Sequence, residues 1–245
     1  MISAWSAKRI GGFALVAVLV TCVPAAMADF SGFLFEITAS GPMGEDTFAV
    51  PVEAGEWDGD SYTWTLAENY EFWAGGELLG VLSAEQGATA VAYQTDPVVN
   101  LSFSVTAGPN AGGTDFTIKS ALLSFPTISS AEGRASTSFT VTDGLDDDGA
   151  TLTPLAAPKA YLAQYNGFVP AGTTFTNLID QIVVDPEGTL GVAAEYPGGG
   201  LYDAIGVAVD DMSTQISFTL SPNDLASGTS IFEVIPEPAT FVLLA

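Results

Sequence analysis

Hydrophobic and polar residues alternate along most of this chain. Tyr62, Trp64 and Leu66 fall on one side of an extended segment, and Ser61, Thr63 and Thr65 on the other. Val99, Leu101, Phe103 and Val105 alternate in the same way with Asn100, Ser102, Ser104 and Thr106, and Phe139 and Val141 with Ser138 and Thr140. A period of two is the mark of a strand with one face on a core and the other in water. Read along the chain, it predicts strands at 33–38, 47–50, 61–66, 70–73, 78–82, 88–94, 98–106, 115–125, 136–142, 159–165, 173–179, 190–196, 205–209, 215–220 and 230–235. Pro51 and Pro126 are expected to end the strands before them, because proline has no N–H for a sheet ladder. Gly75-Gly76 predicts a hairpin between two of the strands, and 108–113 a Gly-rich loop. The helical signals are single turns at 176–181 and 223–226.

Many short strands without intervening helices predict an all-β fold, a β-sandwich of antiparallel sheets of the jelly-roll or Ig-like kind. A chain of 245 residues has room for it as one domain. There is one internal echo: Leu101 to Thr106 followed by a Pro-Asn-containing loop resembles Ile216 to Ser221 followed by Pro222-Asn223. Two copies of a strand-and-loop unit fall short of a repeat architecture, and the few residue types used in strands and turns account for the likeness.

The first 28 residues break the alternation. Lys8 and Arg9 precede an apolar run from Ile10 to Val20, and Ala26-Met27-Ala28 forms an A-x-A site. This is the layout of a secretion signal, with cleavage by signal peptidase between Ala28 and Asp29. The run is shorter than the about 20 apolar residues of a membrane span. A lipoprotein signal ending at Cys22 fits less well, because Thr21 stands where a small residue is wanted. The expected divisions are a signal peptide at 1–28, an all-β domain at 29–233 and a C-terminal segment at 234–245.

Composition narrows the chemistry. The chain holds 29 acidic and five basic residues, a net charge of −24, and no histidine. Cleavage at Ala28 leaves three cations and a net charge of −26. Without histidine there is no Ser-His-Asp or Cys-His catalysis and no imidazole metal ligand. Cys22, the only cysteine, lies in the signal, so the mature chain is expected to have neither a disulfide nor a thiol nucleophile. Nucleic acid is not an expected partner, since the chain lacks the clustered Lys and Arg that phosphates require. No Gly-x-Ser-x-Gly elbow or phosphate-binding loop occurs. These absences predict a protein that is not an enzyme.

Two stretches are candidate binding sites. Asp143-Gly144-Leu145-Asp146-Asp147-Asp148-Gly149 offers carboxylates and carbonyls at a tight turn, which suits Ca2+ with Asp143, Asp146 and Asp148 as ligands. It departs from an EF-hand, since Leu155 stands where a Glu would be required. An acidic hairpin turn is the plainer account. The aromatic stretch contributes Trp57, Tyr62, Trp64 and Trp73 among carboxylates, a combination that can stack on sugar rings and accept from their hydroxyls. Against this, Tyr62 and Trp64 share a strand face and suit a core.

The last twelve residues carry a resemblance. Val234-Ile235-Pro236-Glu237-Pro238-Ala239-Thr240, ahead of the apolar Phe241 to Ala245 and together with the N-terminal signal, resembles the PEP-CTERM family of exported bacterial proteins. The resemblance rests on Pro236, Glu237 and Pro238, supported by Ala239 and Thr240. It implies export across the inner membrane of a Gram-negative bacterium, recognition by exosortase, and a place at the cell surface or in a polysaccharide-rich biofilm matrix. The family's tag continues into a membrane helix and an Arg cluster. Here five residues follow Thr240, and the segment is read as truncated. The expected function is a non-enzymatic surface or matrix protein. The alternative is a carbohydrate-binding module acting on extracellular polysaccharide.

Overall fold

The computed structural model describes residues 29–144, 146–155 and 158–237. The signal-peptide reading, Ala26 and Ala28 included, lies outside them, as do Pro238, Ala239 and Thr240 of the C-terminal tag. Among the described residues, eighteen strands follow one another. In chain order they are β1 Asp29–Gly41, β2 Gly44–Pro51, β3 Glu56–Asp58, β4 Ser61–Thr65, β5 Tyr70–Ala74, β6 Glu77–Leu82, β7 Ala90–Gln94, β8 Val98–Ala107 and β9 Thr114–Ile128. Next come β10 Ala131–Thr142, β11 Ala150–Pro154, β12 Tyr161–Tyr165, β13 Thr173–Leu178, β14 Ile182–Val184, β15 Thr189–Tyr196, β16 Asp203–Ala204, β17 Val209–Leu220 and β18 Leu225–Pro236.

All strand pairs are antiparallel, and they build two sheets. Sheet A runs β13-β12-β17-β9-β1-β2, with β11 on β17 and β14 on β11. Sheet B runs β15-β10-β18-β8-β7-β4-β3, with β6 on β8, β5 on β6, and β16 on β10. The inward faces pack into one core. Phe103 and Phe139 of sheet B meet Phe218 of sheet A at ring-centre distances of 5.7 and 6.3 Å. Tyr93 of sheet B, fully buried, donates its hydroxyl to the Leu34 carbonyl at 2.5 Å and accepts the Ala121 N–H at 2.7 Å, both on sheet A. The protein is therefore a β-sandwich, as the alternation predicts.

Three local expectations are corrected. Strand β9 does not stop at Pro126 but continues to Ile128. Its register with β17 shifts between Ser124 and Ile128, and its pairing with β1 ends at Ser124, so the proline sits at an irregularity where no ladder bond is asked of it. Residues 205–208 are not strand: Gly206 adopts φ +73° there, and strand structure resumes at Val209. Neither helical turn forms. Residues 176–178 belong to β13, and 223–226 contain a turn with Asn223 at φ +60°, followed by the start of β18.

The two echo segments lie on opposite sheets. Strand β8 leaves sheet B through the 108–113 loop to become β9 of sheet A, and β17 leaves sheet A through residues 221–224 to become β18 of sheet B. The two crossing loops bond to each other: Asn223 N–H donates to the Gly108 carbonyl at 3.2 Å, and Ala107 N–H to the Asp224 carbonyl at 2.9 Å.

Candidate functional site

The aromatic residues singled out in the sequence divide between core and surface. Tyr62 is 8% exposed, and its hydroxyl donates to the Val52 carbonyl at 2.6 Å. Trp64 packs between Phe35 and Phe48, at 5.6 and 5.9 Å. Tyr62 thus belongs to the core, and Trp64 is partly buried against it. Trp57, 41% exposed, leans on Tyr62 at the outer end of sheet B. Trp73, 49% exposed, lies on the β5–β6 hairpin with its indole N–H on Glu71 at 3.0 Å. The exposed rings thus sit on separate strands, each engaged with its own neighbour.

Of the acidic candidates, Asp143 and Asp146 come together, and the third member is Asp224 rather than Asp148. One carboxylate oxygen from each of Asp143, Asp146 and Asp224 lies within 4.8 Å of the others. Asp143 accepts the N–H groups of Gly149 at 3.2 Å and Glu187 at 2.5 Å. Asp224 accepts the Gly144 N–H at 2.9 Å and the Ser221 hydroxyl, and Asp146 accepts the Asn223 amide at 2.7 Å. These donors account for the convergence, which locks the β10–β11 loop onto the turn before β18. Burial pushes the Asp224 carboxyl above its ordinary range. The Ser221 and Gly144 bonds pull it back, and the charges of Asp146 and Asp143 add to the rise.

Of the tag residues, Pro236 pairs with Ala131 as the last position of β18, and the Glu237 N–H donates to the Ser130 carbonyl at 2.7 Å. Asp29 opens β1 opposite Ser124.

The feature best suited to a ligand lies elsewhere, on the outer face of sheet B. Strand register there lines up three cross-strand rows. Gly191, Thr140, Ser227 and Ser104 form one; Ala193, Ser138, Thr229 and Ser102 the next; Glu195, Ser136, Ile231 and Asn100 the third. Small side chains leave the face depressed. A hollow of about 440 Å3 over Ser136, Ser138, Ala193, Thr229 and Ile231 joins one of about 560 Å3 over Ser102, Ser104, Thr140 and Ser227. They share Ser138 and Thr229, whose hydroxyls bond at 3.1 Å. A third hollow of about 250 Å3 continues past Glu195 to Arg134, under Pro197 and Gly200. The result is an open groove floored by hydroxyls, with Ile231 as an apolar step.

Charge in the groove is sparse. Glu195 is the only carboxylate that lines the three hollows among the described residues, and it accepts the Gly199 N–H at 2.5 Å. Arg134 is committed to Glu233 at 2.7 Å, with its guanidinium over the Tyr202 ring at 4.9 Å. The other two described cations are paired as well, Lys119 with Glu36 at 3.0 Å and Lys159 with Asp180 at 2.5 Å.

The alternation already put Ser102, Ser104, Ser138 and Thr140 on outward faces. It could not show that β8, β18, β10 and β15 are neighbours, which is what turns separate polar faces into a groove.

No protein-family profile and no curated protein matches the chain. Among solved structures, a carbohydrate-binding module described as recognising mannan overlaps at 10% identity, over 71% of this chain and 99% of its own, with a TM-score of 0.30. The N-terminal cellulose-binding domain of Cellulomonas fimi β-1,4-glucanase C overlaps at 14% identity, over 71% and 97%, with a TM-score of 0.26. The enzymatically active domain of bacteriophage CBA120 tailspike protein 4 overlaps at 11% identity and a TM-score of 0.30, over 82% of this chain. This chain spans 19% of that tailspike chain. All three overlaps are loose, and what the groove can do follows from its own residues.

Proposed function

We propose that this protein is a non-enzymatic carbohydrate-binding β-sandwich of the extracellular matrix, holding a neutral polysaccharide strand along the outer groove of sheet B. The observation that supports it most is the grid of Ser and Thr hydroxyls on three adjacent strands, β10, β18 and β8. Each hydroxyl both donates and accepts, as sugar hydroxyls do, and rigid strands fix their spacing. The groove is open along its length, which suits an internal stretch of polymer rather than a chain end. Ile231 offers an apolar contact for the C–H face of a sugar ring. A neutral ligand is favoured because no described cation is free to pair with a uronate or sulfate, and the chain as a whole is strongly anionic. A single lining carboxylate is one short of the pair used in glycoside hydrolysis. In this reading the N-terminal segment directs export through signal peptidase, and the Pro-Glu-Pro tag is the part that exosortase handles.

Affinity electrophoresis in gels cast with neutral glucans or mannans, beside alginate or pectate, tests the proposal. Retardation is expected in at least one neutral gel and in neither acidic one. Ser138→Arg, which fills the middle of the groove, is expected to weaken retention about tenfold or more. Trp57→Ala and Trp73→Ala are expected to leave it unchanged. Retention that survives Ser138→Arg but is lost with either tryptophan overturns the groove in favour of the aromatic edges.

A further inference from the structure

Strand β15 ends sheet B. It pairs with β10 on one side only, so the backbone groups on its other side are left for a new partner. Its residues Thr189, Leu190, Gly191, Ala193, Glu195 and Tyr196 are exposed. The strand lacks the usual protections of a free edge: it contains no proline, no lysine and no bulge, and Glu195 is its one charge. Among the described residues, half of the exposed large hydrophobic side chains fall within 183–207, and two of them, Leu190 and Tyr196, stand on this strand. Tyr196 is held in place, with its hydroxyl on Asp203 at 2.6 Å and its ring edge-on to Phe175 at 5.4 Å.

We propose that β15 pairs antiparallel with β15 of a second copy of this chain, joining two sheets B across a twofold axis at Ala193. The inference goes beyond the glycan reading and does not depend on it. The sequence of the strand is complementary to itself in this register. A twofold axis perpendicular to the sheet keeps each face on its own side, so residues opposite each other must share parity. Centring on Ala193 satisfies this. On the core-side face Leu190 then meets the second copy's Tyr196, and Val192 meets its Ala194, extending the apolar strip without a break. On the outer face Glu195 meets Gly191, which keeps the two glutamates apart. Both grooves come to lie on one continuous surface. The net charge of −24 opposes association of any two copies, so the contact is expected to tighten as salt screens it.

Sedimentation equilibrium of the full chain over a concentration series, at low and at physiological salt, tests the proposal together with charge substitutions at Gly191. This position tolerates a side chain, since a Cβ there would meet only the Thr140 hydroxyl at 3.8 Å. A salt-strengthened dimer is expected. Gly191→Lys, opposite Glu195 of the second copy, should tighten it about tenfold, and Gly191→Glu should loosen it about as much, across two symmetric pairs. Gly112→Lys, in open space away from the strand, controls for net charge and should have a smaller effect than Gly191→Lys. A monomer under all conditions overturns the proposal. So does a dimer indifferent to the sign of the charge at position 191, which would place the contact elsewhere.

Discussion

Two buried tyrosines weaken the fold at alkaline pH. Tyr93 is pushed well above the ordinary tyrosine range by burial, an effect its bonds to Ala121 and Ser120 only partly offset. Tyr161, also fully buried, is pushed up by the same cause. A group that ionises less readily folded than unfolded holds more protons in the fold at alkaline pH, so stability falls as pH rises past the unfolded value near 10. A phenolate absorbance titration of the seven tyrosines should therefore leave two silent until the fold collapses. Tyr93→Phe strips the buried Leu34 carbonyl and Ala121 N–H of their partner and should cost about 2–4 kcal/mol in denaturant unfolding. Asp224 obeys the same rule at acid pH. Its carboxyl is raised in the fold, so the stability linked to its proton is complete below the ordinary carboxylate range and is lost as pH rises through the raised value. Asp224→Asn should flatten that part of the pH–stability curve. Calcium should leave the curve unchanged if the trio is a lock of hydrogen bonds; a flattening by calcium would show that the trio takes the ion.

At the scale of the strand, Gly228 decides how sheet B is packed. It stands between Phe139 and Phe103 on the two neighbouring strands, whose rings meet edge-on at 5.4 Å. A Cβ at residue 228 would lie 2.6 Å from Phe139 and 2.8 Å from Phe103. Gly228→Ala should therefore cost about 1–3 kcal/mol through overpacking, read as a lower midpoint at unchanged m-value. Strand content was largely legible in the sequence, because alternation is a local signal: Tyr62, Trp64 and Leu66 are found on the side expected of them. The Gly75-Gly76 hairpin was legible for the same reason, with both glycines at positive φ, +58° and +86°. The role of Gly228 was not, since it depends on two partners at sequence separations near 90 and 125. The same limit hid Asp224 behind Asp148: adjacency in sequence is visible, and adjacency across 80 residues is not.

At the scale of the molecule, charge is the dominant liability. Twenty-nine acids face five bases, and the three described ion pairs are partly exposed pairs of the kind worth at most about 1 kcal/mol each. Self-repulsion should outweigh them. The melting temperature is expected to rise as sodium chloride increases from about 10 mM to about 0.2 M, through screening over the Debye length. A fall over that range would mean that the ion pairs matter more than the net charge.

The crossing loops at Gly108 and Asp224 bear on how the chain reaches its fold. Each sheet draws strands from both the first and the second half of the sequence, so neither half can complete a sheet by itself. The sandwich closes only when segments more than 100 residues apart have met. Such non-local topology slows folding. A nick between β9 and β10 would therefore give two fragments that fold only in each other's presence, and their reassociation would be second order in concentration.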